Sequence, residues 1–298
     1  LGFIIAIGFY QILFWKSMDR LGKMRSAPRD AIVAVVTTEE KRGRAFGLLR
    51  ALDSAGAVVG AVISYLLFTS VGYLGIFLLA AIPGAGSVII IAACVKEKKG
   101  KDVFKGVSFR GLDRNLKLFF LSSALFALAT FSYSFLMLFS GGFGYADGQL
   151  PLLYILFTVV YATSAYPFGR ASDRIGRKPI LILAFAMLIL TAAWAYLVHD
   201  WITVLPLFIL FGLSTAALDP VQTTLVVDLV EEESRASILG AFQMVIGLCA
   251  LPAGMIMGYL WETIGALIVF QYSMAFAGAA TLILLMIRVK GFNGVVEA

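Results

Sequence analysis

Gly169-Arg-Ala-Ser-Asp173-Arg-Ile-Gly176-Arg-Lys-Pro179 is a polar, basic loop wedged between two long apolar runs, 151–168 and 180–198. A helix rises about 1.5 Å per residue, so runs of this length approach the ~30 Å hydrocarbon core of a bilayer. The same pattern repeats outward from the loop. Windows of about 20 apolar residues predict further spans at 45–68, 75–95, 116–139, 202–230, 236–260 and 266–287. Composition agrees: the 298 residues are 60% hydrophobic and 14% charged, with 24 Phe. A soluble core does not hide that much apolar surface, so the solvent for most of the chain is lipid.

Lys and Arg fall in alternate loops. Stretches 39–44, 96–117 and 169–178 are rich in them, whereas 69–75, 140–150, 199–201 and 261–265 contain none. By the positive-inside rule the first set is cytoplasmic. The net charge of +6 therefore reflects topology, and no nucleic-acid partner is expected. Cys94 and Cys249 lie inside apolar spans and read as small buried hydrophobes, while His199, next to Asp200, reads as a solvated loop residue. Neither metal-ligand spacing nor a Gly-x-x-x-x-Gly-Lys-Ser/Thr motif occurs, so no metal, no cofactor and no ATP hydrolysis are expected. A single histidine also argues against a polytopic membrane enzyme.

Residues 11–36 are interrupted by Lys16, Asp19, Arg20, Lys23, Arg25, Arg29 and Asp30, yet an internal repeat marks them as a span. Glu40-Lys-Arg42-Gly-Arg-Ala-Phe-Gly47 aligns with Glu233-Ser-Arg235-Ala-Ser-Ile-Leu-Gly240 at an offset of 193 residues, and the same offset carries 202–230 onto 9–37. The chain thus reads as a duplicated architecture. That offset places a first copy of the basic loop upstream of Leu1, which predicts that about three helices of the duplicated plan precede the residues given.

Gly-x-x-x-Asp-Arg-x-Gly-Arg-Lys between two spans resembles the signature loop of the major facilitator superfamily of secondary transporters. Asp19-Arg-Leu-Gly-Lys, Ala27-Pro-Arg-Asp30 and Arg42-Gly-Arg-Ala-Phe-Gly47-Leu-Leu-Arg50-Ala-Leu-Asp53 resemble the fourth and fifth helices of a bacterial, often efflux-type, subgroup. The resemblance implies an all-α integral membrane fold of two pseudo-symmetric six-helix bundles. Residues 1–95 would be the remainder of the N-terminal bundle, 96–117 a basic cytoplasmic linker, and 118–298 the C-terminal bundle. It implies a monomeric, proton-coupled transporter of a small organic solute in the plasma (inner) membrane, working by alternating access and possessed of no enzymatic activity. The alternative reading is a transport-inactive sensor or interaction protein. In one respect the chain departs from the family's antiporters: Gly56-Ala-Val-Val-Gly60 is followed by Ala61 and not by proline. These glycines still suit close helix packing.

Two constellations are candidates for function. In the signature loop, Gly169 and Gly176 suit close approach and a tight turn, and Asp173 suits a helix cap or a charged hydrogen bond. Arg174, Arg177 and Lys178 are expected at the phospholipid surface. Pseudo-symmetry puts the partner of Asp173 at the start of the 45–68 helix, with Arg42 or Arg44 the candidates, and sets Arg235 opposite the absent first-half loop. The second constellation is a substrate or proton pathway through Asp19, Arg20, Lys23, Arg29, Asp30, Arg50 and Asp53. Charges inside a bilayer must line a wet cavity or neutralise one another, so an intrabundle ion-pair network is the competing reading. At 100° per residue, Asp30 falls on one face of its helix and Arg29 on the other. In the C-terminal half, Asp219, Gln222 and Asp228, with Tyr154, Tyr161, Gln243 and Gln271, are candidates for the cavity, and Asp219-Pro220 for a helix break.

Overall fold

The computed structural model describes residues 8, 11, 15, 26–94, 113–145, 149–231 and 234–287, among which every regular element is helical. Asp19, Arg20, Lys23 and most of the basic linker lie outside the described residues. The helices are α1 (Ser26–Val36), α2 (Arg42–Cys94), α3 (Arg114–Ala129), α4 (Tyr133–Ser140), α5 (Leu150–Ile175), α6 (Arg177–Trp194), α7 (Trp201–Asp228), α8 (Arg235–Thr263) and α9 (Ala266–Met286).

Among the described residues, eight stretches are long and apolar enough to cross a membrane: Glu39–Ser64, Leu74–Ala93, Arg114–Phe143, Leu152–Ile175, Arg177–Leu197, Trp201–Asp228, Arg235–Thr263 and Ala266–Met286. Each overlaps one of the eight predicted windows, with ends that differ by at most seven residues. The two spans of α2 run together across Gly72, whose φ of 61° and ψ of −172° is a conformation open to glycine. The chain faces lipid with apolar side chains: Val88, Ile89, Ile90 and Ile91 are each 59–67% exposed.

Inside, aromatic rings fill the space between helices. Phe126 stacks on Phe185 with centroids 3.9 Å apart, joining α3 to α6, and Phe119 stacks on Phe242 of α8. Helix ends are capped by short polar side chains. Asp113 accepts from the Asn115 amide at the start of α3, and Asp200 accepts from the Thr203 amide at the start of α7. Thr203 also accepts from the Asp200 amide, which closes a reciprocal box.

Two expectations about breaks are corrected. Helix α7 runs unbroken through Asp219-Pro220. One proline removes one backbone donor, and the surrounding turns are held by full burial of Ala216, Ala217, Val221 and Leu225. The break lies instead within the stretch read as one span, 116–139, where α3 ends at Ala129 and α4 begins at Tyr133. The Thr130 hydroxyl donates back to the Phe126 carbonyl, and Ser132 caps α4 by accepting from the Ser134 amide. Between them Phe131, 1% exposed, wedges between Phe211 and Phe270. Polar groups thus satisfy the freed backbone while the ring anchors the kink.

Candidate functional site

Helix α2 of the first half crosses α5 of the second in antiparallel fashion. Gly43 lies against Gly169, Gly47 against Ala165, and Ala51 packs beside Tyr161, Ala165 and Ala216. Residues four apart share a helix face, so small side chains at this spacing bring the backbones together. A Cβ on Gly169 would lie 2.2 Å from the Gly43 carbonyl oxygen, and one on Gly43 would lie 2.4 Å from the Gly169 carbonyl oxygen. Gly56 and Gly60, expected to serve close packing, face open space among the described residues. The tight ridge lies on another face of the helix, about three and a half turns earlier.

At the end of this crossing the loop's polar groups converge. The Asp173 carboxylate, 2% exposed, accepts from the amides of Gly43 and Arg44 at 2.8 Å each. Those amides belong to the first turn of α2, where backbone donors lack intrahelical partners and the helix dipole favours an anion. The Arg44 guanidinium lies farther off, at 3.5 Å. Arg177 closes the cluster: it donates to Asp173, to the Ser172 hydroxyl at 3.1 Å, to Asp228 at 3.1 Å and to the Glu39 carbonyl at 2.9 Å. Arg42 donates to the other Asp228 oxygen at 2.8 Å. Asp228 therefore receives one arginine from each half of the molecule.

Three expectations change here. Arg42 pairs with Asp228 and not with Asp173. Arg177, placed at the phospholipid surface by the sequence, is buried in the ion cluster. Lys178 turns to donate to the Leu285 and Ile287 carbonyls at 2.7 and 2.8 Å, at the C-terminus of α9. Unfilled helix-end carbonyls and buried carboxylates outcompete the lipid surface for these cations. Only Arg174 of the three is exposed. Gly176 makes the turn between α5 and α6 with φ of 100°, and Arg235 starts α8, half-buried.

The second constellation forms a four-charge network. Asp30, 1% exposed, pairs with Arg50 at 2.7 Å and with Arg29 at 3.5 Å. Asp53 accepts from Arg29 at 3.0 Å and lies 3.8 Å from Arg50. Arg29 and Asp30, assigned to opposite faces of their helix, join the same network because the long arginine side chain reaches around to α2. Two cations and two carboxylates neutralise one another, as charges at this depth require.

Arg50 and Asp53 also line a cavity of about 690 Å³ between the two halves, with Tyr161, Asp219 and Gln222 opposite them. Aromatic rings of Phe126, Phe131 and Phe242 complete much of its wall. The Tyr161 hydroxyl donates to Asp219 at 2.6 Å, and Asp219 has no salt bridge among the described residues. Gln222 is buried beside it. Thr130 and Ser132, at the α3–α4 break, line the same space. Arg50 lies eight residues along α2 from Arg42, and Asp219 nine along α7 from Asp228. The cavity floor is therefore about 12–14 Å inward from the ion cluster.

Asp228, read from the sequence as a group that could face the cavity, lies instead in the ion cluster. The signal for that place was a carboxylate at the very end of a span, on the side where the basic loops gather.

Apolar spans in two halves, meeting around a cavity and sealed at one end by ion pairs, define a multi-pass membrane transporter. The family model of the Major Facilitator Superfamily matches residues 2–143 and, overlapping, 119–292. The uncharacterized MFS-type transporter MJ1317 of Methanocaldococcus jannaschii is 37% identical over 289 residues, covering 92% of this chain and 71% of that protein. The multidrug resistance protein MdtH of Photorhabdus laumondii is 26% identical over 280 residues, covering 91% and 69%. Among solved structures, the human organic anion transporter MFSD10 (TETRAN) matches with a TM-score of 0.60 over 88% of this chain and 67% of that one. At 15% sequence identity that likeness is one of fold. The chain belongs to the Major Facilitator Superfamily.

Proposed function

We propose that the protein is a monomeric secondary active transporter of the plasma (inner) membrane, moving a small organic solute outward by alternating access in exchange for protons. The basic loops, and with them the Asp173–Asp228 cluster, face the cytoplasm, so the conformation described is sealed on that side. The observation that carries the reading is the cavity between the halves, where Asp219, unlike Asp53 across from it, is bonded to a tyrosine hydroxyl and, among the described residues, is in no salt bridge. A carboxyl group at membrane depth is by default a place where a proton is held or a cationic group is met. The aromatic wall suits an apolar or amphiphilic solute. Efflux is supported by the multidrug resistance relative.

The test is an Asp219→Asn variant in proteoliposomes, with ethidium as the probe and an imposed pH gradient as the driving force. Wild-type protein is expected to accumulate ethidium against its gradient. The variant should lose gradient-driven accumulation while retaining exchange of ethidium at equal concentrations. Undiminished pH-driven accumulation by the variant would overturn Asp219 as the proton site.

A further inference from the structure

We propose that Arg170 and Arg174, on the outer face of α5, form a headgroup site for an anionic phospholipid. Both side chains are exposed, and neither takes part in a salt bridge or hydrogen bond among the described residues. This sets them apart from Arg42, Arg50 and Arg177, each committed to carboxylates. Four residues apart, the two guanidinium groups stand one above the other on a single helix face. A phosphodiester bridging them would receive the forked donors that guanidinium offers to phosphate.

Depth fits the same ligand. Leu150 begins α5, and Arg170 follows it by twenty residues, about 30 Å of helix and so one hydrocarbon thickness. The pair therefore sits where acyl chains give way to headgroups. A groove of about 390 Å³ runs along this face, lined by Tyr166, Pro167, Arg170, Ala171, Arg174 and Ile175. Its charged end is the arginine pair. Its other end presents Tyr166, 37% exposed, an aromatic suited to the interface. Pro167 lines the groove between these two ends, along which an acyl chain can lie. Charge complementarity and depth together select an anionic lipid over a soluble anion.

The adjoining face of α5 carries Gly169, Ser172 and Asp173, which hold α2. A lipid clamped at Arg170 and Arg174 would steady the helix that seals the molecule, so the site also offers the leaflet a hold on the seal.

The experiment is native mass spectrometry of the purified protein released from mixed micelles containing phosphatidylglycerol or phosphatidylcholine. An R170Q/R174Q variant is compared with a K41Q/R114Q control, which removes two exposed cations elsewhere. Phosphatidylglycerol retention should fall about tenfold or more in R170Q/R174Q and persist in the control. Phosphatidylcholine retention should be equal in all three. Equal loss in both variants would mean a diffuse surface potential and overturn the site, as would unchanged retention in R170Q/R174Q. If the glutamine pair fails to fold, R170K/R174K, which keeps the charge and removes the fork, is read in the same way. Full retention by the lysine pair would overturn recognition by forked donors.

Discussion

Across the crossing to α2, Asp173 is held by main chain more than by side chain. Its oxygens take the Gly43 and Arg44 amides at 2.8 Å, while the Arg44 guanidinium, 41% exposed, stays at the rim. Exchanging the charges of Asp173 and Arg44 is therefore expected not to restore transport lost in either single variant, because an arginine at 173 cannot accept from an amide. Asp173→Asn keeps an acceptor and removes the charge, and should weaken the contact by about 1–3 kcal/mol. Proteoliposome flux of the four proteins checks this, and rescue by the exchange would return the partnership to the Arg44 side chain. The sequence located the right helix start and named Arg44, whose guanidinium does reach Asp173, but not the main-chain amides that hold it more closely. Every residue but proline offers an N–H, so a cap supplied from another helix leaves no mark on the residues it caps. The pairing of Asp228, read from the sequence as a cavity group, was hidden for a related reason: a carboxylate shared by two distant arginines shows no local spacing.

Among elements, the α2–α5 crossing sets how closely the halves approach. Gly169→Ala would drive a methyl group into the Gly43 backbone, which has no rotamer to yield, so the helices must part. Overpacking of this kind costs about 1–3 kcal/mol. The expected result is a lower melting temperature in detergent together with reduced flux, whereas Gly60→Ala, beside open space, should change neither. Equal behaviour of the two variants would sink the assignment of the ridge. The spans themselves were legible because a bilayer imposes a length of about 20 apolar residues that hydropathy alone reports. Which glycines touch was not legible. Gly56 and Gly60 have the same spacing as Gly43 and Gly47, and only the rotation of α2 against its neighbour separates them. The break at Thr130–Ser132 was missed for want of proline or glycine there, since hydroxyl side chains that cap a turn read as ordinary polar interruptions.

At the scale of the whole molecule, the halves are joined at a sealed end and part around a cavity. Asp228 ties Arg42 of one half and Arg177 of the other, so its removal should shift the balance toward conformers open at the basic-loop end. Couplings of this size correspond to roughly fivefold or larger changes in population. Ser132, exposed and lining the cavity, supplies the readout as Ser132→Cys, with Cys94 and Cys249 first replaced by serine. Labelling by a membrane-impermeant maleimide added outside should slow at least about fivefold when Asp228→Asn is introduced. An unchanged rate would mean that Asp228 contributes to packing without biasing the equilibrium.

Lys178 gives the loop a mechanical connection that its charge alone did not suggest. Gripping the carbonyls of Leu285 and Ile287, it couples the end of α9 to the turn that carries Asp173 and Arg177. A reporter protein or surface tether spliced after Ile287 would thus hang in series with the seal. Tension applied there would pull on the latch itself, which makes that attachment point suited to force spectroscopy and a poor choice for a silent purification tag.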